Sequence, residues 1–139
     1  MPSSILVYAL VTLLFSPTGK VVSDFVVVVS SESKIKEIDS DDLKSIFLGK
    51  NRRVQDVKLV PVMLKAEKLQ EAFFKKHLKR TKIQFARTWQ KLVFTGKGKR
   101  PKVFNSVEEL ADYLKDNPET LSFVPKGNSL KGLKEVKIK

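Results

Sequence analysis

The stretch Thr95-Gly96-Lys97-Gly98-Lys99-Arg100-Pro101 sets glycines beside cations, the combination that phosphate-cradling loops use. No G-x-x-x-x-G-K-[ST] frame occurs in the chain, and this stretch follows a helix C-terminus, whose dipole end disfavours anions. It therefore reads as a glycine C-cap followed by a solvated basic turn. An anion is expected instead at a helix N-terminus directly after a strand, where free N–H groups and the dipole converge. Two places fit that description: Ser30-Ser31 after the first strand, and Lys65 after the second, in Leu64-Lys65-Ala66. Ser30, Ser31 and Lys65 are thus the candidate ligand-binding residues, although a serine after a strand is also an ordinary turn residue.

Other chemistries lack their residues. There are no cysteines, which removes disulfides, zinc knuckles, thiol catalysis and iron–sulfur ligation. The single histidine, His77, sits between Lys76 and Leu78 with no carboxylate three or four residues away, so it reads as packed or exposed and no Ser-His-Asp set exists. Asp39, Asp41 and Asp42 lack the spacing of a calcium loop and read as helix-capping acids. Trp89 and Phe85 form a core stripe by their spacing, not a base-stacking platform. No catalytic residue, metal or cofactor is expected, and the chain reads as a non-enzyme.

The charge is strongly uneven. The 139 residues carry +12, but Lys50 to Lys102 holds 17 basic residues against three acidic ones, net +14, and the remainder of the chain is −2. Such a field gathers anions in general: phosphate, nucleic acid, anionic lipid or an acidic protein face. One reading is a basic cytoplasmic nucleic-acid-binding protein whose affinity falls steeply with salt. No zinc finger, homeodomain or aromatic RNA-recognition motif accompanies the charge.

The elements that must position these groups follow from periodicity. Phe25-Val26-Val27-Val28-Val29 is a β-branched run of the kind found in strands buried on both faces of a parallel sheet. Asp39 to Asp42 opens a helix with buried stripe Leu43, Ile46 and Phe47, and Gly49 suits its C′ position. Val57 to Leu64 reads as a second strand, which Pro61 places at a sheet edge or a bulge. A helix with Leu69, Ala72, Phe73 and His77 on one face follows. Thr81-x-x-Gln84 is a capping box for a helix whose apolar face is Phe85, Ala86, Trp89, Leu92 and Val93, closed by Gly96. Ser106-x-x-Glu109 starts another, through Leu110, Ala111 and Leu114 to Asn117-Pro118. Leu121 to Val124 and a segment with Val136 and Ile138 are late strands. The order predicts an α/β layer structure with helices packed on a mainly parallel sheet.

Ile5 to Phe15 is an eleven-residue apolar run, too short for the roughly 20 residues of a bilayer span but of signal-peptide length. Val21 and Ser23 suit a cleavage site before Asp24. The expected organisation is a leader over 1–23 and one domain over 24–139, with charge +11, exported to the periplasm with no transmembrane helix in the mature chain.

Four blocks recur in order: IFLGK (Ile46 to Lys50), a strand ending VPVML, FARTWQKLVFTGKGKRP (Phe85 to Pro101) and SVEELADYLKDNPETLSFVP (Ser106 to Pro125). This pattern resembles the small stand-alone phosphate-type substrate-binding proteins of the type 2 periplasmic binding superfamily, from about Phe25 to Ile138. The resemblance implies a single lobe of that fold, related to the phosphate-binding component of ABC importers. It also implies phosphate or another small anion as ligand, or a membrane transporter or sensor protein as partner; in the periplasm no nucleic acid is expected. Relatives place Ser-Gly-Thr at the helix start after the second strand, where this chain has Lys65-Ala66-Glu67-Lys68. Where they often have Gly-Tyr-Val, it has Ser122-Phe123-Val124.

Overall fold

Four consecutive valines cannot face water at acceptable cost, and the chain places them at the heart of a sheet. The computed structural model describes residues 24–127 and 130–139; the leader expected over 1–23 lies outside the described residues. The strands are β1 (Phe25–Ser30), β2 (Glu37–Ile38), β3 (Arg53–Val54), β4 (Val57–Lys58), β5 (Val60–Leu64), β6 (Lys102–Phe104), β7 (Thr120–Pro125) and β8 (Leu133–Ile138). The helices are α1 (Ser40–Phe47), α2 (Glu67–Phe73), α3 (Lys82–Phe94) and α4 (Val107–Asp116). Six strands form one sheet in the order β2-β8-β1-β7-β5-β6, and β3 and β4 make a separate hairpin.

The sheet is mainly parallel and flanked by helices: β2 with β8, β7 with β5 and β5 with β6 run parallel. β1 departs from the expected arrangement, because it is antiparallel to both neighbours, β7 and β8. Burial on two faces demands the same valine run in either orientation, so composition alone does not choose between them. Pro61 also lies elsewhere than expected, since β5 is an interior strand. Val60 donates its N–H to Glu119 O on the β7 side. Alternation then turns the donor that Pro61 lacks toward β6. There β6 begins only at Lys102, opposite Val62, so no ladder bond is lost.

The core centres on phenylalanine. Phe73 stacks on Phe123 at 3.9 Å, and Phe47 meets Phe73 edge-on at 4.8 Å. Each such pair adds about 0.5–1.5 kcal/mol beyond the area it buries. After α2 the chain continues as a π-helical turn, Phe74–Leu78. The wider turn rotates Phe74 and Leu78 into the core beside Leu69 and Phe73. His77 is left half-buried, with Phe25 at 5.6 Å and Phe73 at 5.4 Å. Burial first, then the ammonium groups of Lys76 and Lys79, hold its pKa below the ordinary imidazole value.

α3 begins with the full capping box: Thr81 accepts from the Gln84 N–H at 3.1 Å and Gln84 accepts from the Thr81 N–H at 2.9 Å. Its buried stripe is narrower than expected, because Phe85 and Trp89 are buried and Leu92 half-buried, whereas Ala86 and Val93 are exposed. Before α4, Ser106 accepts from the Glu109 N–H at 3.1 Å.

Candidate functional site

Two helices end at the same place, and their endings build the site. The carbonyls of the last turn of α1 are each accounted for. Lys44 O accepts from Leu48, Ser45 O from Lys50 and Asn51, and Ile46 O from Gly49. Phe47 O accepts from the Trp89 indole Nε1 at 2.9 Å, within the protein. That last bond pins α3 onto the end of α1. Gly49, at φ +72°, supplies the left-handed residue of a Schellman closure, and Gly96 does the same for α3. There Gly96 donates to Val93 O and Lys97 to Leu92 O, which fits the glycine cap expected for Thr95 to Pro101. Arg52, in the turn after α1, donates from Nη2 to Lys97 O at 3.0 Å and ties the two turns together.

Between these turns and the start of β5 lies a groove of about 690 Å³. Its apolar floor includes Ile46, Pro61, Trp89 and Tyr113, and its cations are Arg52, Lys58, Lys97, Lys99, Arg100 and Lys102. No carboxylate lines it. Lys102 Nζ sits 4.9 Å from the centre of the Tyr113 ring, a cation–π contact that holds its stem along the wall. The helix C-termini bring about half a negative charge each. The six cations outweigh them several-fold, so the groove is an electropositive concavity despite facing two negative dipole ends. Gly98 packs closely on the Trp89 ring, where a Cβ would stand 3.2 Å from Cζ3.

The residues singled out from sequence fall elsewhere. Ser30 is buried and its Oγ accepts from the Glu32 N–H at 3.1 Å; Ser31 is exposed and donates its N–H to Gly132 O at 2.8 Å. Ser30 ends β1 and Ser31 opens the turn that leads toward β2, and α1 starts only at Ser40, so the helix N-terminus expected directly after them is absent. Lys65 is exposed at the far end of β5. Val29 and Pro61 both pair with Leu121, which puts Ser30 level with Val60. Five residues of strand, about 16 Å, then separate Ser30 and Ser31 from Lys65. The structure does not bring the three together, and none of them lines the groove.

The start of α2 carries a carboxylate. Lys65 donates its N–H to Phe104 O and Ala66 to Leu64 O. Glu67 pairs with Lys82 Nζ at 2.8 Å, and the hydrogen bond and charge of Lys82 hold its carboxyl below the usual range. An anion seated there would meet a carboxylate. Among the described residues no group of three metal-ligating side chains occurs, and no helix is long and apolar enough to cross a membrane.

Arg52 and Trp89 were not singled out as a pair by sequence. The available signal was the indole N–H, which a core tryptophan must satisfy.

Solved structures share this architecture. An ABC-type phosphate transport receptor from Vibrio cholerae superposes with a TM-score of 0.62 at 18% identity, over 83% of this chain and 46% of the receptor. A putative phosphate ABC transporter substrate-binding protein with bound phosphate, from Clostridium perfringens, gives 0.62 at 10% identity over 83% and 44%. PstS from Borrelia burgdorferi gives 0.60 at 19% over 84% and 47%. The chain therefore spans less than half the length of these proteins. No protein-family model and no curated protein matches the sequence. The fold is that of a periplasmic-binding-protein-like domain, with the extent of a single lobe. At these identities the likeness is one of fold.

Proposed function

We propose that this chain is an exported, non-enzymatic binding module of the phosphate-receptor type, taking phosphate or another small multivalent anion in the groove between Arg52 and Lys102. The folded unit is 24–139 and the leader is 1–23. One observation carries the reading: on this fold, the acid-free cluster of six cations lies in the groove at the α1 and α3 C-termini. The helix start after β5, by contrast, carries Glu67. In this reading Ser30, Ser31 and Lys65 are not ligands. His77, packed against Phe25 and Phe73, serves the core and not catalysis.

Isothermal calorimetry of the full chain against phosphate tests it. Heat is expected at millimolar phosphate or below, reduced several-fold by Lys99→Ala with Arg100→Ala and little changed by Lys65→Ala. Heat that disappears with Lys65→Ala but survives the groove variant refutes the groove. No heat at all removes the small anion and leaves a docking role on a transporter or sensor through the same cations. Cell fractionation with N-terminal sequencing tests export: a mature chain starting at Asp24 in the periplasm is expected, and a cytoplasmic chain retaining Met1 refutes it.

A further inference from the structure

Among the described residues, the large apolar side chains that are exposed are Ile83 (65%), Val93 (43%), Phe94 (89%) and Val103 (50%). Three lie on α3, and the fourth is on β6 just past the turn that follows α3. From Lys82 to Lys102 there are seven Lys or Arg residues and no Asp or Glu. At about 100° per residue, the eleven-residue step from Ile83 to Phe94 returns to within about 20° of the same direction. Gln90 falls on that line too. It points away from Phe85, Trp89 and Leu92, which face the core. The outermost line of α3 is thus apolar at both ends, about 16 Å apart. Arg87 and Lys91 stand beside it and the Lys97–Arg100 turn lies beyond its end.

We propose that this face of α3, with the turn after it, docks on an anionic lipid surface. Phe94 enters the headgroup boundary while Arg87, Lys91, Lys97 and Lys99 lie along the phosphates, their stems covering apolar surface. The chemistry favours lipid over the other polyanions. The face is the convex outside of one helix, and a bilayer interface yields around a projecting ring where a rigid partner would need a matching hollow. Aliphatic groups such as Ile83 and Val93 have nothing to bind on a nucleic-acid backbone, which asks for charge and stacking planes. Lys97 and Lys99 also line the groove, but Phe94, Ile83 and Val93 do not, so the apolar residues distinguish this face from a ligand site in the groove.

Co-sedimentation of the full chain with vesicles of phosphatidylcholine alone, or with half phosphatidylglycerol, tests it. Binding is expected only to the anionic vesicles and is lost at high salt. Phe94→Ala should weaken it about tenfold while leaving any heat of phosphate binding unchanged. Ile5–Phe15 is common to every variant, so the Phe94-dependent difference is what reports on this face. A Phe94→Trp chain adds a local readout, since brominated lipid chains should quench its new emission but not that of buried Trp89. Absence of binding to the anionic vesicles overturns the proposal, as does equal binding by Phe94→Ala. Tighter binding to a short RNA or DNA duplex than to vesicles, insensitive to Phe94→Ala, overturns it in favour of nucleic acid.

Discussion

Gly49 and Gly96 do the same conformational job in different surroundings, and replacing each by alanine separates backbone strain from packing. Both sit at φ +72° at the C′ position of a helix, where a Cβ costs about 1–2 kcal/mol. At Gly96 nothing lies within 4 Å of the added atom, so Gly96→Ala should cost only that, about 1 kcal/mol. At Gly49 the Cβ would stand 2.6 Å from Leu92 Cδ1 and 2.9 Å from Trp89 Cη2. Leu92 can turn away. The Trp89 ring cannot, because its Nε1 is bonded to Phe47 O and the ring is buried. Overpacking of this kind adds about 1–3 kcal/mol, bringing Gly49→Ala to about 3 kcal/mol in all. With an m-value of about 2 kcal/mol per molar urea, the midpoint should fall by about 1.5 M for Gly49→Ala and about 0.5 M for Gly96→Ala. Trp89, the only tryptophan, reports both transitions by fluorescence. Midpoints for the two variants within about 0.3 M of each other would refute the claim that α3 is clamped onto the end of α1 at this point.

Two other side chains give sharper, smaller tests. Burial and the neighbouring Lys76 and Lys79 lower the folded pKa of His77, so the unfolded chain takes up the proton first. The stability from keeping the ring neutral is complete above about pH 6.5 and is lost as pH falls below that value toward the folded pKa. His77→Gln should therefore lose less stability than the parent between about pH 7.5 and 5.5, measured as urea midpoints; equal losses would contradict the assignment. Ser122 is fully buried, and its Oγ finds no hydrogen-bond partner among the described residues. Ser122→Ala should leave thermal stability equal or raise it by about 1 kcal/mol, whereas a loss of that size would show that the hydroxyl is satisfied.

Local features of the fold were legible because they rest on local chemistry. The Thr81–Gln84 box and the glycine caps at positions 49 and 96 each need only a few adjacent residues. Other features depend on partners far along the chain. β2 and β6 are two and three residues long, too short to show a period, and form because β8 and β5 offer them an edge. On α3, Ala86 and Val93 share helical spacing with the core residues, and the seating of Phe85 on Phe74 and of Trp89 on the end of α1 decides that they face outward. The groove was hidden for the same reason. Its walls come from positions 46–62 and 89–102, with Tyr113 from α4, and they meet through the Trp89 and Arg52 bonds to backbone carbonyls.

The placement of charge says what kind of recognition this groove can perform. A helix N-terminus binds an oxyanion through fixed N–H groups, and that geometry distinguishes one tetrahedral ion from another. At the start of α2 the Glu67 carboxylate, paired with Lys82, sets a negative charge beside those groups. The groove offers side-chain cations, all exposed, of which Arg52 is held by Lys97 O and Lys102 by the Tyr113 ring, beside two helix ends closed by the Trp89 indole and the glycine turns. Its attraction is therefore chiefly that of a field. It grows with the number of charges on the ligand, weakens with salt, and depends little on the shape of the anion. A doubly charged phosphate gains about twice the Coulomb energy of a singly charged ion there, while phosphate and sulfate of equal charge are poorly told apart. Larger polyanions, whose charges reach several of the six cations at once, gain more than either.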